Sequence, residues 1–403
     1  MSTSLLFHAF GVHGFQLKKT EFTNGNVVFH LEQDRHNLRC PICKSSQLIC
    51  RGKRDRTFRS IPIGNKKTFI AVPHQRVECS ECGAIRPINL NFAEPRKRHT
   101  RAFRRYALSL LEFSTIKDVA NHLGTGWDLI KDIDKSNLKR LEKPSLKGVT
   151  QIAIDEIYLG KKEKYITIVL DIDTGAIIHV DKGKGGEALD PFWKRLKKTK
   201  TTIEAVASDM SPAYGKAISD NIPKAVHVTD PFHLVKLFND KLTQLRRDLY
   251  NETKDVLKKN ALKGSRWILL KNPENLQTKQ NEKQRLQDAL HVNKPLATAY
   301  YLKEDLRQMW SQKSKAEADS FIMSWILKAE QSGVKILIDF SKTIRKHFKN
   351  ILAHYDYPIS TGILEGTNNK IKTLTKRAYG FRDREYFKLK LFGLHRSKYK
   401  LTG

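Results

Sequence analysis

Short apolar runs that end in an acidic residue recur in the middle of the chain. Residues 151–160 predict a buried β-strand in which Ile152 and Ile154 alternate with small neighbours before Asp155. Residues 204–209 repeat the pattern and end in Asp209. A carboxylate at the end of an apolar strand is costly to bury unless its charge is compensated, and a metal ion is one such compensation.

The order of the elements around these two runs predicts a fold class. Between and after the two acidic strands the pattern predicts further strands at 165–171, 176–180 and 225–228, and helices at 187–198 and 213–220. Three strands, a helix, and then strands flanked by helices is the order of an RNase H-like α/β domain with a mixed sheet. That fold places its first strand beside its fourth, so Asp155 and Asp209 are expected to be neighbours.

Helical periodicity dominates the stretch from 240 to 346, which separates Asp209 from the last part of the chain. Leu242, Leu245 and Leu249 form one apolar stripe with basic residues opposite, which is typical of an amphipathic helix. Trp267, Trp310 and Trp325 are predicted to anchor the core of an all-α insertion. The sequence leaves open whether this insertion clamps DNA or pairs two copies of the chain.

Two helices separated by a glycine turn are predicted before the strand that ends in Asp155. Residues 115–123 carry a capping signal at Thr115 and Asp118, the segment 124–126 breaks the helix, and a second helix begins at Trp127. This is the shape of a helix-turn-helix whose second member enters the major groove, with Trp127 and Lys131 as candidate DNA contacts. An ordinary αα-hairpin is the alternative.

The charge of the chain indicates a polyanionic partner. Lys and Arg number 74 against 42 Asp and Glu, a formal net charge of +32 spread along the chain. Such a surplus favours nucleic acid, because binding then releases counterions from phosphates. A membrane surface is the competing partner, but there is no apolar run of about 18 residues. The first residues carry no signal-peptide pattern, so a cytoplasmic protein is expected.

All five cysteines lie within the first 82 residues, and four of them form two CxxC pairs. Cys40 with Cys43 and Cys79 with Cys82 supply the four thiolates of a tetrahedral structural zinc site. The residues 57–72 between the pairs predict an inserted β-hairpin with a Gly-Asn turn. Two disulfides are the alternative, which an intracellular chain disfavours.

Four motifs together resemble a known protein family. They are Ile154-Asp155-Glu156, the segments 208–211 and 230–233, and the segment 359–372 around Glu365, followed by Arg377-Ala-Tyr-Gly-Phe-Arg. These resemble the motifs of bacterial insertion-sequence transposases of the DDE class, most closely the ISL-type family. The resemblance implies a zinc-binding N-terminus, a helix-turn-helix, an RNase H-like core, and DNA cleavage and strand transfer at the terminal inverted repeats of the element.

The resemblance also implies the catalytic residues. Asp155, Asp209 and Glu365 would hold two Mg²⁺ (or Mn²⁺) ions, Asp155 bridging them, for phosphoryl transfer without a covalent enzyme intermediate. Four further residues are candidates for DNA binding or for support of the site: His233, Lys370, Lys372 and Arg377. For the two lysines, an ordinary solvated helix face is an equal alternative.

Two other acids compete with these assignments. Glu156 follows Asp155, but a strand sends adjacent side chains to opposite faces, so only one of the two can point into the site. Asp230 precedes Pro231 and is predicted to cap a helix, with His233 one turn further on. On the residues alone this segment is a helix start, whereas the resemblance supports a role in the site.

The predicted organisation comprises five parts. They are a zinc-binding module at 1–95, a helix-turn-helix domain at 96–146, the first part of the catalytic core at 147–239, the all-α insertion at 240–350, and the second part of the core at 351–403. The expected partner is double-stranded DNA, both transposon ends and target, bound by a homodimer or larger oligomer. The alternatives are a non-catalytic DNA-binding regulator and an RNase H-like nuclease.

Overall fold

The computed structural model describes residues 4–141, 144–161, 164–359 and 361–396. Ser360, within the motif around Glu365, lies outside the described residues. The chain divides into two compact units. The N-terminal unit comprises Met1–Leu141, Arg377–Leu389 and Arg396–Gly403, and the core unit comprises Glu142–Lys376 and Lys390–His395. The segment 377–389 therefore groups with the N-terminal unit, although the sequence pattern had assigned 351–403 to the catalytic core.

A five-stranded sheet forms most of the N-terminal unit. After the short helix α1 (Leu5–His8), its strands are β1 (Phe15–Thr23), β2 (Asn26–Gln33), β3 (Leu48–Ile63), β4 (Lys66–Cys79) and β5 (Ile85–Pro87). Their order is β1-β2-β4-β3, with β5 paired to β4. The predicted hairpin is confirmed as β3 and β4, and its turn needs Gly64, whose φ is +57°. Phe58, Ile70 and Val77 are fully buried in the core of this unit.

Three helices complete the first part of this unit: α2 (Arg101–Leu110), α3 (Ile116–Leu123) and α4 (Trp127–Arg140). The capping box predicted for α3 is present, because the Thr115 hydroxyl accepts from the Asp118 amide while Asp118 accepts from the Thr115 amide. Gly124 ends α3 in the left-handed conformation, at φ +56°. The helices pack around Phe103, Ala107 and Ile130, so the predicted helix pair is confirmed.

The core unit contains the predicted mixed sheet. Its strands are β6 (Gln151–Gly160), β7 (Lys164–Asp171), β8 (Ile177–Lys182), β9 (Ala205–Ser208) and β10 (Val226–Thr229). The order is β10-β9-β6-β7-β8, with β6, β7 and β8 antiparallel and β6, β9 and β10 parallel. The first strand thus lies beside the fourth, as the RNase H-like order requires. Helices α5 (Asp190–Thr199) and α6 (Pro212–Asn221) cover one face.

A helical subdomain interrupts the core between β10 and the last helices. It contains α7 (Pro231–Glu252), α8 (Val256–Leu262), α9 (Arg266–Leu270), α10 (Glu282–His291), α11 (Lys294–Gln308), α12 (Lys315–Gln331) and α13 (Lys335–Leu352). After it come α14 (Thr361–Arg377) and α15 (Arg384–Phe392). Of the helices in the described ranges, none combines the length and apolar composition that crossing a membrane requires.

The three tryptophans predicted as core anchors of this subdomain differ in how deeply they are buried. Trp325 is buried in the core with 1% exposure, and Trp310 packs against that core. The prediction for Trp267 is wrong, because its side chain is 65% exposed. Helix α9 has only five residues and buries Ile268 and Leu269, so Trp267 is left on the outer face. There its ring lies 4.7 Å from the guanidinium of Arg266.

Candidate active site and DNA-binding elements

Three carboxylates occupy one row across the parallel part of the central sheet. Strand β6 pairs with β9 at Ala153 and Ala207, and β9 pairs with β10 at Ser208 and Thr229. Continuing each register along the strands places Asp155, Asp209 and Asp230 side by side. Neighbouring strands lie about 4.8 Å apart, so the sheet itself brings these acids within reach of a shared ligand.

The two adjacent acids of β6 point to opposite faces of the sheet, as predicted. Ile152 and Ile154 pack into the core formed with α5 and α6. Glu156 lies on this face, where its carboxylate accepts a hydrogen bond of 2.7 Å from the Tyr214 hydroxyl. Burial raises the pKa of Glu156, and the hydrogen bond from Tyr214 opposes that shift. Asp155 therefore faces the other side of the sheet.

Asp155 is held by contacts from three directions. Its Oδ1 accepts from the Glu156 backbone N–H at 2.7 Å, and its Oδ2 accepts from the Asn368 side-chain amide at 2.6 Å. The Nε2 atom of His233 lies 3.7 Å from Asp155 Oδ1 and 3.6 Å from Asp230 Oδ2. Since Asp155 is 8% exposed, its orientation is fixed by these neighbours rather than by solvent.

Asp230 has both of the roles that the sequence left open. It caps α7 by accepting from the Phe232 backbone N–H at 2.9 Å, with Pro231 at the first helical position. It is also 4% exposed and lies next to His233. Burial raises the pKa of Asp230, as do the charges of Asp155 and Asp209, while His233 lowers it. The helix start and the acidic site therefore share this residue.

Helix α14 brings further polar residues to the Asp155 face of the sheet. Asn368 contacts Asp155 directly, and Glu365 lies three positions before it, so both project from the same side of the helix. Glu365 is exposed, Lys370 is half-buried and Lys372 is exposed. The sequence analysis missed Asn368. Its spacing from Glu365 is the one signal that could have indicated it.

The donor atoms around Asp155 suit a hard divalent cation. They are carboxylate and amide oxygens, apart from the one imidazole of His233, and oxygen ligands are those that Mg²⁺ and Mn²⁺ prefer. In addition, the Oδ1 atom of Asn368 is buried and has no hydrogen-bond partner among the described residues. A buried polar atom of this kind normally has a partner, and a cation or its water would provide one.

The four CxxC cysteines converge in the N-terminal unit. Their sulfur atoms all lie within 4.8 Å of one another, with Cys40 and Cys82 at 3.6 Å and Cys43 and Cys79 at 3.4 Å. One CxxC turn precedes β3 and the other lies at the end of β4, so both are at the open end of the antiparallel hairpin. Cys50 is not part of the cluster. Four thiolates at this spacing fit tetrahedral zinc and leave no open position for catalysis.

Helix α4 carries a stripe of lysines that is paired with acids of the segment 377–389. Lys131 lies 3.0 Å and Lys135 2.8 Å from Asp383. Lys135 and Lys139 also contact Glu385, at 2.8 and 2.9 Å. The candidate DNA contact Lys131 is therefore part of an ion-pair network.

The remaining candidates near α4 have different surroundings. Trp127 is 43% exposed, and its ring lies 5.3 Å from the ammonium of Lys131. Arg377 is exposed and donates to the Phe113 carbonyl oxygen at 3.0 Å. The Tyr386 hydroxyl donates to the buried carboxylate of Asp134. Both the arginine and the tyrosine thus attach the segment 377–389 to the predicted helix-turn-helix.

Comparisons with known proteins agree with this architecture. A family model described as a transposase, the DDE domain of the ISL3 group, matches residues 152–391. A model for the helix-turn-helix domain of transposase family ISL3 matches residues 88–136. A third model, the zinc-finger of transposases IS204, IS1001, IS1096 and IS1165, matches residues 36–82. Together they cover the sheet with its acids, the helix pair and the cysteine cluster.

Two relatives that match most of the chain are also transposases. The chain is 33% identical over 357 residues to the transposase for insertion sequence element IS1001 of Bordetella parapertussis, covering 87% of each chain. It is 27% identical over 372 residues to the transposase for IS1557 of Mycobacterium tuberculosis, covering 85% of this chain and 82% of the relative. A solved Drosophila P element transposase strand transfer complex matches 74% of this chain and 92% of that one at 12% identity. Its TM-score of 0.36 is too low to assign fold or function.

The mixed sheet with its row of acids, joined to a zinc ribbon and a helix-turn-helix, defines a DNA-binding transposase of the DDE class. The chain belongs to the ISL3 family of insertion-sequence transposases. Membership of this family implies a divalent metal ion in the catalytic domain. The zinc-finger match and the cysteine cluster together support a structural zinc ion.

Proposed function

We propose that Asp155, Asp209 and Glu365 are the catalytic carboxylates of this transposase and that they hold two Mg²⁺ ions. The observation that carries the proposal is the common register row of Asp155 and Asp209, with α14 joined to that row through Asn368 and Asp155. Because Glu365 is one helical turn before Asn368, we expect the third acid to project toward the same side of the sheet. Asp155, at the centre of these contacts, would bridge the ions.

Each residue of the proposed site would have its own role in the reaction. When bound, the ions supply activation of water or of a 3′-hydroxyl and stabilisation of the leaving oxygen. Asp209 and Glu365 each hold one side of the site. His233, between Asp155 and Asp230, holds the two carboxylates apart and can donate to a phosphate oxygen. Lys370 and Lys372 on α14 contact the phosphate backbone near the scissile bond.

Recognition of the transposon ends would reside in the N-terminal unit. The helix pair α3 and α4 has the helix-turn-helix shape, and Trp127 and Lys131 lie at the start of the second helix. Arg377 adds a positive charge beside the helix pair. We propose that the protein binds the inverted repeats of its element as a homodimer or larger oligomer, in the bacterial cytoplasm on the nucleoid.

The test is an incubation of the purified protein with labelled DNA that carries the inverted repeat flanking its own gene. With Mg²⁺ we expect nicking at the repeat boundary, and with zinc-loaded protein and no added Mg²⁺ we expect binding without nicking. Cleavage that persists without Mg²⁺ would contradict the proposed metal site. Binding without cleavage in Mg²⁺ or Mn²⁺, on verified end sequence, would favour a DNA-binding regulator instead.

A further inference from the structure

Asn368 is oriented by the chemistry of its partner. A carboxylate oxygen accepts hydrogen bonds, so the atom that faces Asp155 Oδ2 at 2.6 Å is the Nδ2 donor of the amide. The Oδ1 atom of Asn368 consequently points away from Asp155. If the amide were reversed, its oxygen would face the oxygen of Asp155, and two acceptors would lie against each other.

The outward oxygen of Asn368 is the unusual feature. It is buried and without a hydrogen-bond partner among the described residues, next to a carboxylate row that already concentrates negative charge. Side-chain amide oxygens ligate hard divalent cations and accept hydrogen bonds from the water that such cations carry.

We propose that Asn368 is a fourth member of the metal site and a positioning residue for Asp155. Its Nδ2 fixes the Asp155 carboxylate, which leaves lone pairs on both carboxylate oxygens free for the cation. Its Oδ1 receives the cation or a cation-bound water. The inference rests on the proposed function, since it assigns Asn368 to the site of Asp155, Asp209 and Glu365.

The experiment measures Mn²⁺ binding by electron paramagnetic resonance on zinc-loaded protein without DNA. We expect Asn368→Ala to weaken Mn²⁺ binding about 10-fold, the usual effect of removing a residue that orients a metal ligand. Asn369→Ala is the matched control, because Asn369 is the exposed next residue of the same helix and should bind Mn²⁺ as the wild type does. Asn368→Gln keeps both the amide donor and the amide oxygen, so its Mn²⁺ affinity should lie closer to that of the wild type than the affinity of Asn368→Ala does.

The outcomes separate this inference from the proposed function. Loss of Mn²⁺ binding in Asp155→Ala with unchanged binding in Asn368→Ala would overturn the role of Asn368 alone. Absence of Mn²⁺ binding in the wild type would overturn both. A fall in melting temperature in Asn368→Ala, with wild-type Mn²⁺ affinity of the folded protein, would make Asn368 a purely structural link between α14 and β6. If Asn368→Ala fails to fold, Asn368→Leu replaces it, since leucine has neither the donor nor the oxygen, and wild-type Mn²⁺ affinity in that variant would equally contradict the proposal.

Discussion

Asp383 accepts a hydrogen bond of 2.8 Å from Lys135, which joins residues 248 positions apart within the N-terminal unit. Lys131 approaches the same carboxylate at 3.0 Å, and the Tyr386 backbone N–H donates to its other oxygen at 3.0 Å. The hydrogen bond from Lys135, followed by that from Tyr386, holds the pKa of Asp383 well below its ordinary range. The segment 377–389 is thereby attached to helix α4.

This depressed pKa predicts the pH dependence of the N-terminal unit. A group whose pKa is lower in the folded state stabilises the fold fully above its unfolded value, near 3.8 here, and less as pH falls through the folded value. We therefore expect full stability near neutral pH and loss on acidification. At pH 7, Asp383→Asn should destabilise the unit by about 1 kcal/mol, as expected for a partly exposed ion pair.

The measurement uses Trp127, which lies on α4 and is the one tryptophan in the sequence ranges of the N-terminal unit. The ¹⁹F resonance of 5-fluorotryptophan at this position reports unfolding of the unit during thermal or acid titration. Asp132→Asn, at an exposed acid of the same helix, is the control and should leave the transition unchanged. Equal transitions in Asp383→Asn and the wild type would show that the ion pairs do not stabilise the unit.

The cysteine cluster predicts one zinc ion per chain. Cys79→Ser should lose this zinc, measured by plasma mass spectrometry, and with it the fold of the hairpin module, because zinc ligation supplies folding free energy. Cys50→Ser is the matched control, since Cys50 is an exposed cysteine on β3 outside the cluster. Zinc retained in Cys79→Ser, or lost in Cys50→Ser, would contradict the assignment of the ligands.

Two tryptophans of the helical subdomain, Trp325 and Trp267, are predicted to differ in how much they stabilise the fold. Trp325 is 1% exposed and donates to the Leu302 carbonyl oxygen at 2.8 Å, so Trp325→Ala should cost about 3–5 kcal/mol in the free energy of unfolding. Trp267 is 65% exposed, and Trp267→Ala should cost less than about 0.5 kcal/mol. Chemical denaturation followed by circular dichroism measures both. Similar losses in the two variants would contradict the packing described for the subdomain.

Replacing Lys372 is predicted to change how strongly the affinity for DNA depends on salt concentration. Its side chain is exposed on α14, and contact with one phosphate contributes about 1 to the slope of log affinity against log salt. Lys372→Ala should lower that slope by about 1 with little effect on sequence preference, whereas Lys372→Arg should keep it. Fluorescence anisotropy at several salt concentrations measures the slope. An unchanged slope in Lys372→Ala would place this lysine on an ordinary solvated face.

The central sheet and its first two acids could be predicted because the information is local. A short apolar run that ends in an acid marks β6 and β9, and the order of elements along the chain specifies which strands are neighbours. The strand β2 had the same signal, since its residues alternate in burial at Val27, Phe29 and Leu31, yet it was not predicted. The alternation of apolar and polar residues therefore also indicates the strand β2.

Other features depend on contacts that no local pattern contains. Asn368 has a role only because α14 lies against β6, and its spacing of three residues from Glu365 is the one local sign of the side of the helix on which it lies. Asp383 and Glu385 likewise pair with α4 across most of the chain length. Trp267 was predicted to be buried from its size, but a five-residue helix buries too little surface to enclose it.

Cleavage and binding measured together on one DNA test the central claim most directly. The substrate carries the inverted repeat of the element, and wild type, Asp155→Ala, Glu365→Ala and Asn369→Ala are compared with Mg²⁺ at equal fractions of bound DNA. We predict that both acid variants bind with wild-type affinity and do not nick the repeat boundary, while Asn369→Ala nicks as the wild type does. Nicking by Asp155→Ala or Glu365→Ala at the wild-type rate would contradict the assignment of these carboxylates as the catalytic site.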